Sequence, residues 1–486
     1  MKRVTVALLL IAACGEGVPL LEPIIDVPPI DSDAYPYGGV DELLVSVARA
    51  GEDVSLQEAL ISAGQSLLLS EIPFGEELVV HLSGRSSGIE IAYGRTCKVT
   101  VTADEQPPDD EPHLYLSRIV KWGISAAPSE PGRVGGHGYA LPRGSAVLLG
   151  GNGGITSVER FDPQTGSFRL LSIQLTPRRD SVLAPFADGR ALIVGGVDGD
   201  DNPVATVEVV DPRPGIAPAA RRDEQEGPSL RYHAAATLVD DSVVVTGGII
   251  PPGGQSGGAT PAAWSFRFGA GNILEPALQL DATMHFARAR HSMTRLGDEL
   301  GADVLIVGGL GDTGMAVKEA ELFRPLRESF ELVAGATLTH ARWGHAAVRL
   351  PGGFVLIVGG LQPPVSDPRP VAALELYDPI QGQFSSAGTL PAGAGLTDLT
   401  ITELPDGRSL LAGGLDINGQ PVATVLIARL DPVDGQVDVS ATDSLAVPRA
   451  AHSAVRLCDG TILISGGTDA PGQDTERYNP PPEGRR

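Results

Sequence analysis

Residues 342–360 read Arg342-Trp-Gly-His345-Ala-Ala-Val-Arg-Leu-Pro351-Gly-Gly-Phe-Val355-Leu-Ile-Val-Gly359-Gly360. After a Pro-rich insert, residues 373–384 read Ala373-Leu-Glu375-Leu-Tyr377-Asp-Pro379-Ile-Gln-Gly-Gln-Phe384. An Arg-x-x-His opens a short apolar stretch, and a Pro-Gly-Gly turn follows it. A five-residue apolar run then ends in a Gly pair, and a Glu-x-Tyr-Asp-Pro stretch leads to an aromatic. Short apolar runs bounded by Gly and Pro are strand signals, so the unit is a small antiparallel sheet of three or four strands.

The unit recurs. Gly pairs stand at Gly150-Gly151, Gly195-Gly196, Gly247-Gly248, Gly308-Gly309, Gly359-Gly360, Gly413-Gly414 and Gly466-Gly467. A period of about 50 residues with four strands per unit points to a propeller, here with seven blades. Glu159-Arg-Phe-Asp-Pro163 with Phe168, Glu321-Leu-Phe-Arg-Pro325 with Phe330, and Glu476-Arg-Tyr-Asn-Pro480 repeat the second half of the motif. The third unit has Trp264-Ser-Phe266 in that place and the sixth has Ala428-Arg-Leu-Asp-Pro432. This combination of features resembles the kelch family over residues 113–480.

The chain has 486 residues and a net charge of −24. Such acidity argues against a nucleic-acid partner, which needs a basic footprint. Gly and Pro number 61 and 40. They fall in repeated turns and act as punctuation between strands.

Lys2 and Arg3 precede an apolar run, Val4 to Ala13, too short to span a bilayer. It ends in Ile11-Ala-Ala-Cys14, which resembles a bacterial lipobox. The resemblance implies a signal peptide over 1–13, acylation of Cys14, and anchoring in the cell envelope. Gly15 after the Cys is similar to the outer-membrane version of that signal. Residues 14–36 carry Pro19, Pro23, Pro28, Pro29 and Pro36 and read as a tether. Residues 37–103 read as a small β module, with strands expected near Leu43–Ala48, Ser66–Leu69, Glu77–Leu82, Ile89–Tyr93 and Lys98–Thr102. The Ile72-Pro-Phe-Gly75 break resembles turns of immunoglobulin-like and prealbumin-like modules. Residues 104–112 form an acidic linker and 481–486 a polar tail. The seventh unit lacks a fourth strand, so residues 113–122 are expected to supply it, with Trp122 as its aromatic.

Antiparallel order within each unit puts the turns between strands one and two (ab) on one face. The loops after strand two (bc) and between units (da) lie on the other. The ab turns are short. The bc inserts, Pro251 to Ala262 and Gln362 to Val371, are longer and varied, so binding is expected on the bc/da face. Cys97 and Cys458 remain after Cys14. In an exported chain a pair of thiols tends to be bridged, and the topology brings both to one corner, so a Cys97–Cys458 disulfide is the hypothesis.

His137, Asp180, His233, His291, His345, Asp398 and His452 are read as equivalent first-strand sites spread around a channel. A metal is set aside, because ligands must converge within about 2.1 Å of one ion. The third-strand acids Glu159, Glu208, Glu321, Glu375 and Glu476 are read as structural partners of first-strand Arg or backbone N–H groups. No His-Glu-x-x-His or Walker motif occurs. Galactose-oxidase-like members of the kelch group need copper and a Tyr–Cys crosslink, and neither Cys97 nor Cys458 falls in a central loop for it. Sialate mutarotases of this fold use central Arg and Glu. The expectation is therefore a non-enzymatic, cofactor-free envelope lipoprotein that binds a protein or glycan. An envelope carbohydrate enzyme and a purely structural component are the alternatives. A convergent Arg and Glu set in the channel mouth would favour the enzyme.

Overall fold

A computed structural model describes residues 24–480 apart from 51–54, 63–74, 102–112, 129–131, 143, 153, 164, 205, 214–224, 227–232, 251–257, 270–273, 364, 432 and 469–474. The chain is all-β, with no α-helix among the described residues. The expected anchor at Cys14, the expected linker 104–112 and the tail 481–486 lie outside those residues, as do most of the Pro251–Ala262 insert and the expected strand at Ser66–Leu69.

Seven four-stranded antiparallel sheets follow one another. Their first strands are His137–Ala140, Val182–Pro185, Ala235–Val239, Ser292–Arg295, Ala346–Arg349, Thr400–Glu403 and Ser453–Arg456. From the second sheet onward, each first strand lies beside the next, and Ser453–Arg456 lies beside His137–Ala140. The fifth sheet shows the local logic. Val355–Val358 is buried on both faces, as an apolar run between two covered layers must be. Gly359 and Gly360 follow at φ +66° and +88°. A Cβ on Gly360 would stand 2.8 Å from the Trp343 carbonyl, so the sharp exit from the strand needs glycine. The core lies between neighbouring sheets: Leu305 and Val307 of the fourth pack with Val355, Ile357 and Tyr377 of the fifth.

The seventh sheet takes its fourth strand from the other end of the sequence. Trp122–Ile124 pairs with Thr475–Tyr478, placing Trp122 opposite Tyr478. The pair occupies the register of Phe161–Phe168, Phe323–Phe330 and Tyr377–Phe384 in other sheets. The Trp122 and Tyr478 rings are 4.9 Å apart. The expected strand 113–122 is corrected in its extent. His113–Tyr115 and Ser117–Arg118 belong instead to the N-terminal module, because Leu114 and Leu116 are buried in that module's core.

That module also begins earlier than expected. Ile24–Asp26 pairs in parallel with His113–Tyr115, and Ile25 and Val27 are buried in the module's core. Residues 24–36 are therefore part of the module rather than tether. Its main sheet runs Ser55–Ser62, Glu42–Arg49, Gly75–Ser86, Ile89–Arg95, Ser117–Arg118, with Val99–Val101 also on Gly75–Ser86. Among the described residues the expected immunoglobulin-like or prealbumin-like module is this one main sheet, with the short Ile24–Asp26 pair packed into its core.

The module is fixed to the seventh sheet on the ab side. Cys97 and Cys458 are joined by a disulfide with Cα atoms 5.0 Å apart. Arg95 Nε donates to the Asp459 carbonyl at 2.9 Å. Asn479 Nδ2 donates to the Tyr93 and Ser117 carbonyls. The Arg477 guanidinium, paired with Asp459, lies 3.9 Å over the Tyr115 ring. Gly144, in the ab turn of the first sheet, leaves no room for a Cβ beside Cys458.

Candidate functional site

The third-strand acids form a set of internal locks. Arg133–Glu159, Arg178–Glu208, Arg288–Glu321, Arg342–Glu375 and Arg449–Glu476 are ion pairs at 2.6–2.8 Å with all ten side chains dry. In each, the Arg also donates to the carbonyl of the first glycine of its sheet's pair, for example Arg342 Nη1 to Gly359 at 3.0 Å. Glu375 also accepts the Thr339 and His340 N–H groups. Burial pulls the Arg288 and Arg342 guanidinium groups below the ordinary arginine value, against the pull of their Glu partners. Every charge is paired and hydrogen-bonded, as burial requires. In the sixth sheet the two positions hold Leu396 and Leu426, which pack in one apolar cluster. Trp264 occupies the Glu register in the third sheet. These acids staple sheets and are not available to a ligand.

The histidines divide into two sets, which corrects the expected equivalence of seven first-strand sites. The register is fixed by a backbone position in the left-handed region just before each first strand: Gly135, Asp180, His233, Arg290, Gly344, Asp398 and Ala451, at φ +51° to +65°. His291, His345 and His452 stand one residue later and His137 two residues later. These four face neighbouring strands. Their Nε2 atoms lie 2.8–3.0 Å from the hydroxyls of Thr246, Ser292, Thr400 and Ser181 respectively. Burial lowers the pKa of His137 to about 4 and of the other three to about 3. An unfolded histidine takes up its proton near pH 6.5. Between that pH and the folded values the unfolded chain binds more protons, so stability is full above pH 6.5 and falls as the pH drops toward 3–4. A thermal midpoint that declines from pH 7 to pH 5 is the expected result. A midpoint flat over that range would contradict neutral, packed histidines.

The seven left-handed positions converge on the bc/da side, where they line a cavity of about 440 Å³. Three carry glycine or alanine, while Asp180, His233, Arg290 and Asp398 present polar groups. A non-glycine residue in this backbone region costs about 1 kcal/mol or more, least for Asp and Asn and most for long side chains. The chain bears that strain at Ala451 and at four polar sites around one opening.

The polar groups form a partial network. Arg290 Nη2 donates to His233 Nε2 at 2.8 Å, which fixes the neutral ring with its proton on Nδ1. That atom lies 3.7 Å from Asp180 Oδ1, while Arg179 pairs with Asp180 Oδ2 at 2.6 Å. Burial, then the nearby Arg290 charge, lowers the His233 pKa to about 4. Among the described residues the Asp398 carboxylate has no hydrogen bond or ion pair. Its side chain is exposed to the cavity, whose walls desolvate it in part. Burial raises its pKa; Arg290 opposes the rise and Asp180 adds to it.

The site therefore combines Arg290 with Asp180 and Asp398. Among the described residues that line it there is no Glu, and Glu159, Glu208, Glu321, Glu375 and Glu476 are paired within sheets. Sequence reading had singled out Asp180, His233 and Asp398 but missed Arg290, because it was aligned on histidines. A signal was present: Arg290 follows the lock residue Arg288 by two positions, as Asp180 follows Arg178, while Asp398 stands at the same offset from Leu396.

No protein-family model and no curated protein matches the chain. Among solved structures, that of YjhT is similar at 14% identity with a TM-score of 0.49, the match covering 65% of this chain and 100% of that one.

Proposed function

We infer that this protein is a non-enzymatic, lipid-anchored component of the cell envelope whose seven sheets are the blades of a kelch-type propeller. Its bc/da face takes a protein or glycan ligand at the channel mouth. The observation that carries this reading is the group Asp180, His233, Arg290 and Asp398 round one cavity on that face. Short hairpins at Ile249–Ile250 with Gly258–Ala259, and Leu361–Gln362 with Arg369–Pro370, arise from the bc inserts and enlarge the same face. Acylated Cys14 would hold the chain at the membrane, and more than one acyl chain makes a stable anchor.

The full chain in detergent, screened against a glycan array and an envelope extract, tests the binding reading. Retention of one glycan class or one protein, lost in Arg290→Gly, is the expected result. Retention indifferent to Arg290 would move the site elsewhere, and turnover of the retained glycan would establish the enzyme instead. For the anchor, Cys14→Ser is expected to move the protein from the detergent phase to the aqueous phase and to remove the acyl mass. An unchanged mass would end the lipoprotein reading.

A further inference from the structure

The mouth holds two charged groups of opposite sign that form no hydrogen bond or ion pair with each other. Arg290 stands before the fourth sheet and Asp398 before the sixth. Between them, before the fifth, is Gly344, where a Cβ would meet nothing within 4 Å. Arg290 donates one hydrogen bond to a neutral histidine; among the described residues no carboxylate touches it and most of its five N–H donors are open. Asp398 has all its acceptor positions open among the described residues. The second carboxylate, Asp180, is already matched by Arg179. Arg179 also pairs with the exposed Asp201, so the open groups at the mouth are one positive end, Arg290, and one negative end, Asp398, on either side of a glycine gap.

A ligand with one charge satisfies only one end. An anion on Arg290 leaves Asp398 uncompensated, and a cation on Asp398 leaves Arg290 so. A neutral polyol reaches both but uses no charge-assisted bond of full strength. The complement of two open, separated groups of opposite sign is a ligand that carries both charges, held apart. We propose that the channel mouth binds a zwitterionic head group of the α-amino acid type, its carboxylate on Arg290 and its ammonium on Asp398, lying over Gly344. This deepens the binding reading of the same face and rests on it for the site, but makes a separate claim about chemistry.

The test is isothermal titration of the full chain in detergent with a panel of free α-amino acids, then with the N-acetyl and methyl ester derivatives of the tightest. Acetylation removes the cation and esterification the anion. Each derivative is expected to bind about ten- to a hundredfold more weakly, the range for losing one charge-assisted bond. Arg290→Gly should abolish the preference over the ester, and Asp398→Asn the preference over the N-acetyl form. Both substituents suit the left-handed backbone, so thermal midpoints should hold or rise and loss of binding is not loss of fold. Gly344→Asn, which fills the gap, should weaken the amino acid by a similar factor.

A derivative that binds as tightly as its parent overturns the proposal, as does a panel in which nothing binds. If nothing in the panel binds and Arg290→Gly still abolishes capture of a glycan or protein, the zwitterion assignment falls and the binding face stands. If an amino acid binds as described while that capture ignores both substitutions, the assignment stands and the macromolecular reading falls.

Discussion

Glu375→Ala is expected to destabilise the protein by about 3–5 kcal/mol, the cost of leaving a buried guanidinium without its partner. Arg342 is fully dry and donates to Glu375, Gly359 and Ala373. With the carboxylate gone, that positive charge stays in the sheet interior. Thr339 and His340 also lose the acceptor of their N–H groups. The double variant Arg342→Leu with Glu375→Leu should lose far less, because apolar side chains of similar volume often replace a buried ion pair at little cost. The sixth sheet already contains that replacement, as Leu396 and Leu426. Denaturant unfolding of the two single variants and the double gives the coupling directly. A double variant as unstable as Glu375→Ala would mean that the lock contributes through its hydrogen bonds to the glycine carbonyl rather than through charge balance.

Replacing Cys97 and Cys458 together by Ser is expected to cost about 2–4 kcal/mol. The bond closes a loop with a sequence separation of 361 residues. Long loops lose the most freedom in the unfolded chain when bridged, although the gain rises only slowly with length. In the folded protein Asn479, Arg95 and Arg477 still hold the module to the seventh sheet. The native arrangement should survive at room temperature, with the loss seen as a lower unfolding midpoint. The bond lies on the ab side and the candidate cavity on the other. Binding at the mouth should therefore be unchanged, a result that separates the two faces. A non-reducing peptide map with both thiols free would remove the effect altogether.

The repeating sheets were legible in the sequence because their cause is local. An apolar run of four or five residues ending in a Gly pair can exit only by a turn in the left-handed region, and seven such pairs mark seven sheets. The Glu-x-aromatic stretch and its fourth-strand aromatic were legible for the same reason, since cross-strand pairs sit at fixed offsets. The assignment of Glu to structural pairing followed from electrostatics alone: five carboxylates on apolar strands need partners wherever they are.

Tertiary structure decided what depends on contacts distant in sequence. Leu114 and Trp122 both read as strand residues, but one is buried with Ile25 and Val45 and the other against Tyr478. No local pattern distinguishes those destinations, and the burial available in each place does. Ile24–Asp26 likewise became a strand because His113–Tyr115 lay beside it, despite a Pro-rich setting. The candidate site shows the point most plainly. Asp180, His233, Arg290 and Asp398 lie about 50 residues or more apart and share no motif letter. Chain order fixes only that each precedes a first strand. It is the packing of one sheet beside the next that turns seven equivalent backbone positions toward one opening and gathers four polar side chains round it.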